Sequence, residues 1–126
     1  MADSIERLYA AVLAAQNADP ATSRTARLLR SGRGKVAKKL AEEAIEVVID
    51  SVHGETEAVV RESADLIYNL VVLWAATGVK PGDIWKEMAR RERLLGMAEK
   101  LPKRPPETEV PRKIVTLASR RRGRTR

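Results

Sequence analysis

Lys35-Val36-Ala37-Lys38-Lys39-Leu40-Ala41-Glu42-Glu43-Ala44-Ile45-Glu46-Val47-Val48 is the stretch on which the fold turns. Val36, Leu40, Ala44, Val47 and Val48 recur at three- and four-residue intervals, the period of an α-helix with one apolar face. The pattern predicts a helix from near Lys35 to Gly54. On its acidic part, Glu43 and Glu46 share a face, and Glu42 stands one position round, four before Glu46. A second acidic pair, Glu62 and Asp65, has the same three-residue spacing in the next helical segment, Glu55 to Thr77, which ends at Gly78. Packing these two helices antiparallel aims four or five carboxylates at one another. Like charges so placed repel and raise each other's pKa. A hard divalent cation relieves this, because Mg²⁺ prefers oxygen ligands and bridges carboxylates to phosphates.

Two plainer readings compete. Glu42, Glu43 and Glu46 can form a solvated helix face, or the acids can pair structurally with Lys35, Lys38, Lys39 or Arg61. Against full solvation, Asp65 directly precedes the apolar run Leu66–Ala76, and a buried carboxylate without a partner is costly. Lys35, Lys38 and Lys39 lie one or two turns before the acids. They are either phosphate-neutralising groups or ordinary surface lysines.

Working outward, Ser4 is expected to cap a helix running to about Asn17, with Ile5, Leu8, Val12 and Ala15 on one stripe and Asp19-Pro20 as its breaker. A short helix is expected from Ser23 to about Arg30, followed by Gly32 and Gly34. Pro81 suits the first turn of a last helix, to about Met97. No strand alternation and no repeat is present. The fold class is therefore all-α, with short connections and antiparallel neighbours. Leu66–Ala76 is too short to span a membrane. Apolar all round, it is expected at the centre of a dimeric bundle.

The 126 residues allow one principal domain, expected over residues 1–98. Phe is absent, and Tyr9, Tyr68, Trp74 and Trp85 are the only aromatics. Such a small, aromatic-poor core is a weak stabiliser, which again points to a homodimer. Tyr68 and Trp74 read as core or dimer contacts rather than base-stacking groups, whereas Trp85 is compatible with either role. The absence of Cys excludes disulfides, thiolate metal sites and a Cys nucleophile. His53 is the only histidine, so His triads and multi-His zinc sites are excluded too. Beside Gly54 it reads as a helix C-terminal group rather than a catalyst. The opening Met1-Ala2-Asp3-Ser4 lacks a signal-peptide pattern, which makes cytoplasm the expectation. The net charge of +7 falls entirely beyond residue 98, since residues 1–98 balance 14 basic against 14 acidic groups. Residues 99–126, with Pro102, Pro105, Pro106, Pro111 and the Arg120–Arg126 terminus, read as a basic flexible tail. Ile114–Leu117 is its one candidate ordered island. Such a tail usually solubilises, and contact with nucleic acid through it would be nonspecific and steeply salt-dependent.

At this point the residues reach a resemblance. Glu42-Glu43-x-x-Glu46 with Glu62-x-x-Asp65 resembles the E-E-x-x-E…E-x-x-D signature of the all-α, MazG-like nucleotide pyrophosphohydrolases. Three words narrow it to the phosphoribosyl-ATP pyrophosphohydrolase family. Ser23-Arg24-Thr25-Ala26-Arg27-Leu28-Leu29 resembles S-Y-T-x-x-L-L, Lys35–Ala44 is similar to K-I-A-K-K-L-G-E-E-A, and Glu62–Leu70 is similar to E-A-A-D-L-L-Y-H-L. The resemblance covers roughly residues 23–95. It implies an intertwined helical dimer that hydrolyses phosphoribosyl-ATP to phosphoribosyl-AMP and pyrophosphate, the second step of histidine biosynthesis. It further implies Glu43, Glu46, Glu62 and Asp65 as Mg²⁺ ligands, with Glu42 and Glu43 serving catalysis. Glu42 would orient or deprotonate the attacking water, or hold a second ion. Lys35, Lys38 and Lys39 would contact phosphates or the ribose phosphate, with Asn69 near the substrate.

Cleavage of a phosphoanhydride requires neutralised charge and an aimed water, which Mg²⁺ supplies without a covalent nucleophile. Three positions depart from the family words: Ala41 stands for Gly, Arg24 for an aromatic and Asn69 for His. Asn hydrogen-bonds but does not titrate near neutrality. This departure keeps a second reading open, a house-cleaning pyrophosphohydrolase of simple (deoxy)nucleoside triphosphates. A third reading, from another class, is a nonenzymatic binding module working through the tail.

Overall fold

Gly32, Gly54 and Gly78 mark the three described places where the backbone leaves the conformations open to other residues. Gly32 has φ 97° and opens one helix; Gly78 has φ 78° and closes another. The computed structural model describes residues 2–97, and these form five helices: α1 (Ala2–Ala15), α2 (Arg24–Arg30), α3 (Arg33–Val52), α4 (Thr56–Thr77) and α5 (Pro81–Met97). No strand occurs among the described residues. The segment beyond residue 97, including the candidate island Ile114–Leu117, lies outside them.

Local chemistry explains most boundaries. Ser23 caps α2, its Oγ accepting the Ala26 N–H at 3.1 Å. Gly78 ends α4, and Val79 N–H reaches back to the Trp74 carbonyl at 2.9 Å. Two expectations are corrected. Ser4 does not cap α1, which already begins at Ala2; its Oγ instead accepts from the Arg7 guanidinium one turn on. Gly34 does not interrupt the chain but lies inside α3, which starts at Arg33.

The described chain divides within α5, between Lys86 and Glu87. In the first unit α3 and α4 form the principal packed pair, with α1 laid against α4 and α2 touching both α3 and α4. The three-residue connection His53–Glu55 makes α3 and α4 antiparallel neighbours. Val12 of α1, Val36 of α3 and Val71, Val72 and Trp74 of α4 form the buried cluster, with Leu28 and Leu29 of α2 and Ile84 of α5 packed on it. Trp85 meets Trp74 edge-on, with centroids 6.5 Å apart and an interplanar angle of 88°. In the second unit, Glu87 accepts from Arg90 and Arg91 at 2.8–3.1 Å, and these guanidiniums hold its carboxyl down to about 2.

The valine-dominated core leaves apolar surface uncovered. Ile45, Val48, Ile49 and Val52 make an exposed stripe on α3, Val52 being 77% accessible. Leu66–Ala76 is not buried all round in the single chain: Val71, Val72 and Trp74 are buried, but Ile67 is 43% accessible. α3 thus has an inner face carrying Val36 and Glu43 and an outer, apolar one.

Candidate active site

The inner face of α3 brings the acids to α4. Carboxylate oxygens of Glu43, Glu62 and Asp65 all lie within 4.8 Å of one another. A second set, Glu46, Asp50 and Glu62, satisfies the same limit, so Glu62 joins the two. The order of the contacts is that of antiparallel helices: as α3 advances from Glu43 to Asp50, the partners on α4 shift from Asp65 toward Glu62. Helical spacing explains the rest, because Glu43, Glu46 and Asp50 lie three and four residues apart.

Glu43 is the most buried of these acids, 8% accessible, and its one ion pair among the described residues is with Lys39 at 3.2 Å, one turn earlier. The contact of Glu62 with the Glu43 carboxyl raises the Glu62 pKa above the usual carboxylate range. Partial burial and the negative charges of Glu43, Asp65 and Glu46 push it the same way. Three carboxylates with hard oxygen donors, crowded enough to favour a retained proton, form a donor set suited to a hard divalent cation.

Asp50 was not among the residues singled out from sequence. Its signal was present in its spacing, four after Glu46 and seven after Glu43. Glu42 takes another direction. It is exposed and belongs to neither acid set; instead it lines a cavity of about 380 Å³ between α2 and α3. Lys35, Lys38 and Lys39 line the same cavity from α3, and Arg24 and Arg27 line it from α2.

Asn69, expected beside the substrate, has none of its surface accessible. Its amide donates to the Asp65 carbonyl at 2.8 Å, one turn back along α4, and its Oδ1 has no partner among the described residues. Its visible role is therefore inside the helix that carries Asp65. Tyr68 faces α2, where its hydroxyl and Thr25 Oγ1 are 2.6 Å apart. His53 is the exposed C-terminal cap of α3, remote in role from either acid set.

Comparison with known proteins places the helical part of the chain in one family. Residues 5–92 match the family described as phosphoribosyl-ATP pyrophosphohydrolase. The chain is 74% identical over 103 residues to phosphoribosyl-ATP pyrophosphatase 2 of Rhodopseudomonas palustris, covering 82% of this chain and 79% of that protein. It is 73% identical over 103 residues to the protein of the same name from Bradyrhizobium diazoefficiens, covering 82% and 77%. Phosphoribosyl-ATP pyrophosphatase of Azospirillum brasilense is 50% identical over 96 residues, covering 76% and 86%. The match spans all five helices nearly end to end, acids and cavity included, and the chain belongs to the phosphoribosyl-ATP pyrophosphohydrolase family.

Proposed function

We propose that this protein is a Mg²⁺-dependent enzyme that hydrolyses phosphoribosyl-ATP to phosphoribosyl-AMP and pyrophosphate, the second step of histidine biosynthesis, and that it works as a homodimer. The observation that carries the reading is the carboxylate cluster Glu43–Glu62–Asp65 in a chain with this family membership. Glu43, Glu46, Glu62 and Asp65 would hold Mg²⁺, with Asp50 as an added candidate through the adjoining set. The chemistry such an ion supplies is neutralisation of phosphate charge and a lowered pKa for water.

The chain's own groups do the rest. A water oxygen bonds to the α-phosphorus, and the bond from that phosphorus to the α–β bridging oxygen breaks. Pyrophosphate departs with that electron pair. Glu42, exposed beside Glu43, accepts a proton from the water. Lys38 and Lys39 stand one turn before the acids, and their ammonium groups offset the charge gathering on the leaving pyrophosphate. Asn69 is left out of the substrate contacts because it offers no accessible atom. This weakens the argument for a simple-nucleotide enzyme, which had rested on that position. The homodimer is supported by the α3 stripe Ile45, Val48, Ile49 and Val52, an uncovered apolar face beside the acids.

The test is pyrophosphate release with Mg²⁺ from phosphoribosyl-ATP and, in parallel, from a panel of (deoxy)nucleoside triphosphates. Preference for phosphoribosyl-ATP is expected; preference for a simple nucleotide overturns the substrate assignment. Light scattering is expected to give twice the 14.0 kDa chain mass, and Val48→Asp to shift it toward a single chain.

A further inference from the structure

The cavity between α2 and α3 gathers five cations, Arg24, Arg27, Lys35, Lys38 and Lys39, against one acid, Glu42. They are not equivalent. Lys39 is engaged by Glu43 at 3.2 Å. The Arg27 guanidinium donates to the Pro20 carbonyl at 2.7 Å, which fixes its direction. Arg24 lies over the Tyr68 ring, 5.6 Å from its centroid, and the Thr25 hydroxyl holds the Tyr68 hydroxyl in turn. A guanidinium held over an aromatic ring makes no hydrogen bond to it, which leaves its N–H donors for an anion. Lys35 and Lys38 have no carboxylate partner within ion-pair distance among the described residues.

Length sorts these groups. Lys35 stands eight residues before Glu43, which places it about 12 Å back along the helix axis. That exceeds the reach of a pyrophosphate still anchored at the acids, whereas Lys38 and Lys39 lie within its reach. The remote group therefore faces a different part of the ligand. Phosphoribosyl-ATP has such a part: its triphosphate is at one end, and the added ribose carries a 5-phosphate at the other. A nucleoside triphosphate has no second phosphate end.

Resting on the function proposed above, we propose that Arg24 and Lys35, with Arg27 behind them, form a subsite for the ribose 5-phosphate and make the enzyme select a substrate phosphorylated at both ends. A nucleoside triphosphate leaves these cations without a counter-charge and gains nothing from them. Arg24 is a specificity residue in this account, and it is also one of the three positions at which the chain departs from the family's words.

The experiment uses the full chain, Arg24→Gln and Lys35→Gln, all checked by circular dichroism and thermal melting. Both residues are exposed, so the fold should survive each change. Steady-state kinetics with Mg²⁺ on phosphoribosyl-ATP and on ATP gives the first readout. For each variant, KM for phosphoribosyl-ATP is expected to rise about tenfold or more, with kcat little changed, as for loss of a charge-assisted contact. The loss on phosphoribosyl-ATP should exceed the loss on ATP by about tenfold. Equal losses on both substrates, or no loss on either, overturn the subsite. The second readout is calorimetric binding of ribose 5-phosphate alone. Binding by the wild type that is lost in Arg24→Gln supports the subsite, and no binding by the wild type overturns it. This readout stands even if the wild type proves to prefer simple nucleotides, so failure of the substrate assignment and failure of the subsite are told apart.

Discussion

The acid cluster and the cationic cavity are neighbours on α3, and they hold like charges in opposite ways. The acids face α4, Glu43 is nearly buried, and the strain of their proximity is visible in the raised pKa of Glu62. Arg24, Arg27, Lys35 and Lys38 face solvent, where water and salt screen their repulsion. The contrast teaches that crowded, half-buried carboxylates carry their repulsion as a displaced pKa, whereas exposed cations bear theirs at little cost. Lys39 sits at the border and belongs to both, lining the cavity while pairing with Glu43.

The contrast breaks most decisively at the acids. Asp65→Asn and Glu43→Gln are each expected to lower kcat/KM by at least about 100-fold, more than the loss of an outer-shell partner usually costs. Calorimetry should show weaker Mg²⁺ binding in both. Unchanged Mg²⁺ affinity would dissolve the metal side of the comparison. Asp50→Asn sharpens it, with an expected smaller loss that reports the contribution of the adjoining set.

Mg²⁺ should also stabilise the fold. At about 100 times its Kd, a ligand that binds only the folded state adds about 2.7 kcal/mol. A melt with and without chelator should show the shift, and it should shrink in Glu43→Gln. Equal stability with and without Mg²⁺ would mean that the acids are content without an ion.

Without metal, pH should act through Glu62. Its pKa is raised in the fold, so the folded chain binds this proton more readily than the unfolded one. Protonation of Glu62 therefore favours folding, and its charged form disfavours it above the raised pKa. In chelator, melting temperature should rise relative to that of Glu62→Gln as pH is lowered from neutrality through that pKa. An identical pH profile for wild type and variant would show that the crowding carries no free energy.

The smallest effect belongs to the border residue. Lys39→Gln removes a half-exposed (i, i+4) ion pair and is expected to cost about 0.5 kcal/mol or less in denaturant unfolding. A larger loss would show that Lys39 is the main neutraliser of Glu43 in the metal-free protein.

Five helices and the acidic faces were readable in the chain because both follow from local rules. Glycine ends helices, Ser23 caps one, and spacings of three and four put Glu43 with Glu46 and Glu62 with Asp65. Ser4 misled because a serine one turn inside a helix carries the same local signal as a cap. Gly34 misled because a glycine within a helix costs only about 1 kcal/mol, too little to stop one. Asp50 escaped notice for a related reason. The E-E pair draws attention to adjacent residues, yet adjacent helical positions point about 100° apart, and only the one aimed at α4 joins the cluster.

The sequence by itself therefore determined the helical periods, the elements' approximate ends, the donor chemistry and the family. Tertiary structure alone decided which acids meet, that Asn69 is sealed inside the α4 packing, and that Arg24 and Lys35 share one cavity. The physical reason is range. Helix formation and side-chain facing depend on neighbours within one or two turns. Meetings between α2, α3 and α4 depend on the register at which Val36 packs with Val71 and Val72, a contact between residues far apart in the chain.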